Sequence, residues 1–175
     1  MENMGILRRK EKRYMEKNMS RSPYDFYPTP EWCYENLPID WSQFKTALEP
    51  CAGDGRILNF LSDKGIIMDY CEIQEGLDFF EHEGEYDLIF TNPPFSIAQE
   101  FIEKALGMAP TVIMLLRINF LSSLKRQPFW LMYPPDGMMV LSKRPSFTGT
   151  GTDSQEYAWF VWSDLEELQG FKWIK

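Results

Sequence analysis

The chain has 175 residues, of which 44% are hydrophobic and 15% aromatic, and its formal net charge is −8. That length suits one domain with its own core, and the composition excludes a mostly disordered chain. The longest apolar runs fall far short of the roughly 20 residues of a membrane helix. Three cysteines with no close pair and a single histidine argue against a disulfide framework and a zinc site. We therefore expect a soluble, cytoplasmic, metal-free protein that does not bind membranes.

The charge is distributed unevenly along the chain. Residues 1–21 carry seven Lys/Arg and three Asp/Glu, whereas the rest of the chain is acidic. We predict a basic N-terminal arm over residues 1–21 and a single domain over residues 22–175. A basic arm on an acidic body indicates a polyanionic partner, and the alternative is a solvated helix or a floppy terminus.

Strands and helices alternate through most of the chain. The strands are predicted over residues 46–49, 66–73, 87–91, 111–116, 138–141 and 156–162. Helices are predicted over residues 7–19, 30–36, 56–64 and 97–108, with Thr29 as the N-cap of the second and a further helical stretch at Lys125 and Arg126. Alternation followed by two successive strands predicts an α/β fold, with a mostly parallel sheet and a C-terminal antiparallel hairpin.

A glycine turn follows the first predicted strand. The order along the chain is a strand ending in Glu49, the turn Gly53-x-Gly55, a helix, and a second strand ending near Glu72. Glycines let a nucleotide-like ligand approach the backbone, and a carboxylate after the second strand can accept both ribose hydroxyls. Residue 58 is Leu, so the third glycine of the dinucleotide fingerprint is absent. The pattern therefore favours a smaller adenosine cofactor.

A second motif, Asn92-Pro93-Pro94-Phe95, follows a predicted buried strand. Ligands of open α/β sheets bind at the carboxyl ends of such strands. The two prolines lack backbone donors and stiffen the turn, which leaves carbonyl acceptors. The Asn92 side-chain oxygen and the Pro93 carbonyl could accept both hydrogens of an amine, while Phe95 stacks on the planar group that bears it. These features indicate a site for a planar exocyclic amine.

Both motifs resemble those of a known family. Residues 49–55, Glu-Pro-Cys-Ala-Gly-Asp-Gly, and residues 91–95, Thr-Asn-Pro-Pro-Phe, resemble the cofactor and catalytic motifs of class I S-adenosylmethionine-dependent amino-methyltransferases, especially the adenine-N6 group. Further similarity to the small methyltransferases carried by phages and prophages lies in residues 25–30, 116–121, 144–149 and 156–159. The resemblance implies a compact Rossmann-like class I methyltransferase fold, in a bacterial or phage-infected cell, without a separate target-recognition domain.

The resemblance also implies roles for individual residues. The expected contacts to S-adenosylmethionine are Tyr27, Thr29, Glu49, Cys51, Ala52, Gly53, Gly55, Glu72, Ile73, Asp78, Phe79 and Asn92. The expected catalytic residues are Asn92, Pro93, Pro94 and Phe95. The expected substrate contacts are Phe95 and, as the second face of a sandwich around the target base, Phe147. Independently of the resemblance, the charges of Lys125, Arg126, Lys143 and Arg144 suggest a phosphate-contacting rim, and the alternative is scattered surface charge.

Three of these cofactor contacts have specific expected functions. Thr29 would contact the methionine end of the cofactor, and Glu72 would hold the ribose hydroxyls. Asp78 would accept from the adenine amine, with Phe79 or Ile73 against the adenine ring. Only five residues separate Glu72 from Asp78, so we expect the family's helix between the second and third strands to be missing or reduced to a turn.

The implied activity is transfer of a methyl group from S-adenosylmethionine to the N6 amine of adenine, preferably in DNA. One alternative is methylation of adenine N6 or guanine N2 in RNA, since Asn-Pro-Pro-Phe occurs in such enzymes too. A protein glutamine methyltransferase is less favoured, because that family usually has Tyr at the position of Phe95. Another alternative is a non-catalytic module that retains the cofactor or nucleic-acid surface.

Overall fold

The computed structural model describes residues 28–147 and 151–174. The basic arm, the predicted helix over residues 7–19, the expected cofactor contact Tyr27 and residues 148–150 lie outside the described residues. The strands are β1 Thr46–Glu49, β2 Ile67–Tyr70, β3 Leu88–Thr91, β4 Thr111–Arg117, β5 Gly137–Leu141, β6 Tyr157–Trp162 and β7 Gly170–Ile174. The α-helices are α1 Arg56–Asp63, α2 Ala98–Ala105 and α3 Gln127–Met132.

The seven strands form one sheet in the order β2-β1-β3-β4-β6-β5-β7. Strands β1, β2, β3 and β4 are mutually parallel, β6 is antiparallel to both β4 and β5, and β7 is parallel to β5. The predicted α/β fold and its antiparallel β5–β6 hairpin are therefore confirmed. The strand order reverses between β1 and β3, and the carboxyl ends of such neighbours form the ligand crevice of open α/β sheets.

Alternate side chains of the central strands divide between two buried layers. Phe90 of β3 stacks on Trp159 of β6 with ring centroids 4.2 Å apart, in the layer that α1 and residues 31–44 cover. Ile89 and Phe160 point the other way, into the layer covered by α2 and α3. These strands are buried on both faces and read as continuous apolar runs, as expected for the middle of such a sheet.

The helices bury the faces that their apolar spacing predicts. In α1 the buried residues are Ile57 and Leu61, and in α2 the buried residues are Ala98, Phe101, Ile102 and Ala105. These spacings of three, four and seven put the apolar side chains on one stripe of each helix. No helix within the described ranges is long and apolar enough to cross a bilayer.

Two predicted element boundaries are wrong for local reasons. The segment 30–36 forms only a short 3-10 helix, Glu31–Cys33, and Thr29 does not cap it because its hydroxyl accepts from Asn92 instead. The predicted strand over residues 66–73 is shortened to β2, since the Glu72 carboxylate accepts from Gln74 N and starts a 3-10 helix there. The remaining helix between Glu72 and Asp78 is thus a single turn, as expected.

Candidate active site

The glycine turn after β1 is tied to the end of β2 by one carboxylate. Glu72 Oε2 accepts from the backbone nitrogen of Gly53 at 2.7 Å, and Oε1 accepts from Gln74 N at 3.0 Å. Gly53 and Gly55 have φ of 54° and 78°, in the left-handed region where a Cβ is unfavourable. Gly55 is also the residue immediately before α1, and unlike Gly53 it does not line the cavity at this edge of the sheet. The turn and Glu72 therefore form one rigid wall.

Glu49, at the end of β1, is a buried carboxyl that faces this wall. Its side chain is 1% exposed, and its Oε1 accepts from Cys51 N at 3.2 Å. Burial raises the pKa of Glu49 to about 8, an effect that the neighbouring Glu72 reinforces and the Thr91 hydroxyl opposes. Burial, with Glu49 nearby, also raises the pKa of the Cys51 thiol, so this cysteine stays protonated and packs against the turn. A cationic ligand in contact with Glu49 would stabilise its charged form and lower its pKa.

The crevice is a cavity of about 560 Å³ at the carboxyl ends of β1, β2 and β3. This volume lies within the usual range for small-molecule sites. The cavity brings together most of the expected cofactor contacts, namely Thr29, Glu49, Cys51, Ala52, Gly53, Glu72, Ile73, Asp78, Phe79 and Asn92. Its lining contains four acidic side chains, Glu49, Asp54, Glu72 and Asp78, and one arginine, Arg56, which pairs with Asp54 at 2.7 Å. The cavity is therefore suited to a ligand of net positive charge.

An apolar wall, formed by Ile73, Leu77, Phe80 and Ile97, lies on the far side of the cavity. These side chains are 38–51% exposed, although large apolar groups are usually covered. Phe80 packs edge-to-face on Phe101, with ring centroids 5.1 Å apart. A planar apolar group inserted here would cover this surface. Of the two side chains expected against an adenine ring, Ile73 lies on this wall, whereas Phe79 is only 2% exposed and packs beneath it.

Asp78 lies beside the apolar wall and is half-buried. Its Oδ1 accepts from Phe80 N at 2.8 Å, so the carboxylate orders the loop that carries Phe80. The structure thus places Asp78 in the cavity together with Glu72, despite the short connection between them. The role expected for it, accepting from an adenine amine, stays a prediction.

Asn92 stands at the boundary of the cavity, directly after β3. Its amide nitrogen donates to Thr29 Oγ1 at 3.0 Å, across 63 residues of sequence. This bond fixes the orientation of the amide, so Oδ1 is the atom that would accept from an incoming amine. Pro94 also lines the cavity, whereas Pro93 is buried behind it. The structure therefore gives Thr29 a partner that the sequence did not indicate.

An aromatic cluster lies beyond Asn92, outside the cavity. The Phe95 ring is 5.5 Å from the ring of Tyr157 and 6.5 Å from that of Phe147, and Phe147 lies 5.2 Å from Tyr157. The Phe95 and Phe147 planes make an angle of 61°, and Phe147 is 8% exposed. The two rings therefore meet edge-to-face and do not form the open parallel sandwich expected for a base. Phe147 supports Phe95 from the core in this arrangement.

Arg117 covers one face of Phe95. It belongs to the segment 116–121 that resembles phage enzymes, but no role was expected for it from the sequence. Its guanidinium carbon is 4.5 Å from the Phe95 ring centroid, and its Nε donates to the Tyr157 hydroxyl at 3.0 Å. That hydroxyl donates in turn to Asp153 Oδ2 at 2.9 Å. Burial raises the pKa of Tyr157, so the phenol stays neutral and can serve both partners. Arg117 is the last residue of β4, and Asn92 directly follows β3 at the same edge of the sheet. The positions of the strand ends alone could therefore have pointed to Arg117.

The expected phosphate-contacting residues lie outside the cavity. Lys125 and Arg144 are exposed, whereas Arg126 stacks on Phe120 at 4.2 Å and donates to its carbonyl oxygen. All three follow strands that end at the carboxyl edge, β4 or β5. Within the ranges 28–147 and 151–174, no group of three His, Cys, Asp or Glu side chains could hold a metal ion.

Comparison with known proteins agrees with this architecture. No family model and no curated protein sequence match the chain. Among solved structures, PH1948 of Pyrococcus horikoshii, described as a candidate RNA methyltransferase, matches with a TM-score of 0.61 and 15% identity, over 82% of this chain and 90% of that chain. A modification subunit of a candidate type I restriction enzyme from Vibrio vulnificus YJ016 matches with a TM-score of 0.55 and 14% identity.

The second match covers 99% of this chain but only 52% of the restriction subunit, so the chain spans about half the length of that protein. Identities this low identify a shared fold rather than a shared substrate. This chain has the class I methyltransferase fold. The fold class predicted from the sequence is thereby confirmed, and the similarity to phage and prophage enzymes stays a prediction.

Proposed function

We propose that the chain transfers a methyl group from S-adenosylmethionine to an exocyclic amine of a nucleic-acid base, with adenine N6 in DNA as the favoured target. One observation carries the proposal: Asn92 lies between the acidic cavity and the Phe95 cluster, with its amide oriented by Thr29. A methyl donor in the cavity and an amine held by Asn92 would thus meet at one point on the carboxyl edge of the sheet.

The residues of the cavity fit S-adenosylmethionine group by group. The wall of Ile73, Leu77, Phe80 and Ile97 suits the adenine ring, and Glu72, already fixed by Gly53, suits the ribose hydroxyls. The carboxylates of the lining complement the positive charge of the sulfonium and ammonium groups. When bound, the cofactor supplies an electrophilic methyl group. Glu49, whose pKa is raised by burial, is the carboxyl that such a cation would hold in its charged form.

The chain's own contribution to the reaction is positioning. The lone pair of an aromatic amine is delocalised into its ring, which makes the amine a weak nucleophile. Acceptor bonds from Asn92 Oδ1 and the Pro93 carbonyl would localise that lone pair, and the stiff Pro93-Pro94 turn would keep both acceptors in place. Stacking of the base on Phe95 requires the face that Arg117 does not cover. The excess proton can leave to water after transfer.

The substrate side of the site carries features that suit a polyanion. Residues 111–147 contain five Lys/Arg and one Asp, and four of those cations follow β4 or β5 at the carboxyl edge: Lys125, Arg126, Lys143 and Arg144. We propose that they contact the phosphates on either side of the target base. A target within a duplex would be flipped out of the stack, at a cost of about a few kcal/mol.

RNA is the second candidate substrate. The structure with a TM-score of 0.61 is described as a candidate RNA methyltransferase, whereas the one with a TM-score of 0.55 is a modification subunit of a restriction enzyme. Adenine N6 and guanine N2 in RNA both present an exocyclic amine that the same two acceptors could hold. DNA is favoured because of the motif resemblance. The two substrates can be distinguished by whether the methylated nucleoside is found in DNA or in RNA.

The decisive experiment is transfer of a labelled methyl group from S-adenosylmethionine to unmethylated DNA and, in parallel, to total RNA. The products are digested and the labelled nucleoside is identified. We expect label in N6-methyladenine from DNA. Label in RNA alone would replace the favoured substrate by the second candidate and leave the reaction unchanged.

Two controls separate catalysis from binding. Asn92→Ala is expected to remove transfer, whereas Asn36→Ala, a substitution at an exposed asparagine remote from the cavity, leaves it unchanged. Cofactor binding is measured on the same preparations. Binding without transfer to any nucleic acid would identify a non-catalytic module, and absence of both would overturn the proposed function.

A further inference from the structure

We propose that Arg117 binds a backbone phosphate next to the target base, and that Phe95 and Tyr157 hold its guanidinium ready for that contact. This inference rests on the proposed function, because it requires a nucleic-acid substrate. The inference adds to the proposed function a substrate-binding residue that lies outside both the glycine turn and the Asn-Pro-Pro-Phe motif.

The first argument is the unsatisfied charge of Arg117. The side chain is half-buried, and among residues 28–147 and 151–174 its only hydrogen-bond acceptor is the Tyr157 hydroxyl, at 3.0 Å. The described carboxylates include none within ion-pairing distance of it, and Asp153 is engaged by the Tyr157 hydroxyl instead. A partly buried cation without an anionic partner is costly. An anion bound at Arg117 would offset that cost, whereas a neutral base acceptor would not.

The second argument is the fixed geometry of the guanidinium. The guanidinium carbon lies 4.5 Å from the Phe95 ring centroid, and Nε donates to the Tyr157 hydroxyl, so two separate contacts hold the group. Only one of the five guanidinium donors is used by the described residues. The terminal nitrogens thus form a planar fork, the geometry that binds phosphate oxygens in pairs.

The third argument is location. Arg117 is paired with Tyr157 in the sheet register, at the edge where β3 ends in the Asn92 motif. The same edge receives four cations that follow β4 and β5, Lys125, Arg126, Lys143 and Arg144, against two carboxylates just before β6, Asp153 and Glu156. This excess of cations suits a polyanion. Because the guanidinium lies over Phe95, a phosphate that it binds belongs to the target nucleotide or its immediate neighbour.

The test uses binding of short oligonucleotides, as single-stranded DNA and as RNA of the same sequence, with one adenine each. Arg117→Gln is expected to weaken binding about tenfold or more at low salt, as for loss of a charged hydrogen bond. The slope of log affinity against log salt should fall by about 0.7, the value for one phosphate contact on a single strand. Arg117→Lys, which keeps the charge, should restore the slope and only part of the affinity.

The matched control is Lys64→Gln, which removes one positive charge at the far end of α1, where the helix has run away from the carboxyl edge. It should leave both affinity and salt slope unchanged. Cofactor affinity and thermal stability are measured for every variant. A merely structural role for Arg117 predicts lower stability with an unchanged salt slope, and that result would overturn the inference.

A charge deletion in the ligand completes the experiment. A single neutral methylphosphonate is placed in turn at each phosphate near the adenine. At one position, the methylphosphonate should weaken binding by the wild-type chain about as much as Arg117→Gln weakens binding of the unmodified oligonucleotide. The same methylphosphonate should not weaken binding by Arg117→Gln any further. Additive losses at every position would overturn the inference while leaving the proposed function intact. Absence of any oligonucleotide binding by the wild-type chain would overturn the inference together with the nucleic-acid substrate.

Discussion

The parts of the chain on either side of β3 form two halves of opposite charge. Residues 46–87, which contain β1, β2 and the loop that follows, carry eleven Asp/Glu and two Lys/Arg. Residues 111–147, which contain β4 and β5, carry five Lys/Arg and one Asp. The first half encloses a cavity with buried carboxylates, whereas the second presents exposed cations and the stacked Arg117. Asn92, at the end of β3, lies between them.

This separation indicates how one small sheet can handle two ligands of opposite charge. In the proposed reaction, a cationic cofactor would be attracted to the acidic half, and a polyanionic substrate would be repelled from that half and attracted to the basic one. The net charge of −8 therefore does not argue against nucleic acid, because the relevant potential is local. The aromatic cluster begins with Phe95, directly after the proline turn, and so lies between the two halves.

The largest effect on methyl transfer is expected at Asn92, which lies between the two halves. Asn92→Ala removes the acceptor proposed for the amine, so methyl transfer should fall by about a thousandfold or more. Cofactor affinity should stay within a few-fold of wild type, because the acidic half is untouched. The measurement is single-turnover transfer alongside a cofactor titration. Transfer at wild-type rates would remove Asn92 from catalysis.

The acidic half is tested through Glu72. Glu72→Gln loses an acceptor for Gly53 N or Gln74 N as well as the charge, so cofactor affinity should fall about ten- to a hundredfold. Oligonucleotide binding should not weaken. The control is Glu75→Gln, at an exposed carboxylate three residues away that accepts from the Tyr70 hydroxyl. Equal cofactor affinity in wild type and Glu72→Gln would contradict the ribose role.

A substitution at Thr29 tests whether its hydrogen bond orients the Asn92 amide. Thr29→Val keeps the shape but removes the oxygen that accepts from Asn92, so the amide loses its fixed orientation. We expect the maximal rate of transfer to fall about tenfold, a loss of about 1.4 kcal/mol in transition-state stabilisation. The check is steady-state kinetics with both substrates varied. A change in cofactor KM alone would instead support the methionine contact predicted from the sequence.

The smallest expected effect concerns Glu49 and pH. Its pKa is about 8 in the folded chain against a usual 4.5, so the folded state binds the proton more tightly. Stability of the cofactor-free chain should therefore fall as pH rises from about 4.5 to about 8. Glu49→Gln should lack this component, and its melting temperature should exceed that of wild type by several degrees at alkaline pH only. If the melting temperatures of wild type and Glu49→Gln change with pH in the same way, burial does not raise the pKa of Glu49 as described.

Sequence patterns succeeded where a residue's neighbours are local. The glycine turn and α1 depend on residues a few positions apart, and both lie where they were predicted, whereas α2 is shorter than the helix predicted over residues 97–108. The double-sided burial of β3 and β6 was visible as apolar runs. Strand β7 was not predicted, because its side chains Phe171 and Trp173 stay about 70% exposed and it is defined by parallel pairing with β5.

The sequence by itself determined the order of the elements up to β6 and the positions of Glu49, Glu72 and Asn92 at or just after strand ends, since motif spacing encodes both. Only the tertiary structure decided which distant groups meet. It brought Thr29 to Asn92 across 63 residues, tilted Phe147 against Phe95, and placed Arg117 over that ring with Tyr157 as its partner. Such contacts depend on the strand order of the sheet, which joins residues that no local pattern relates.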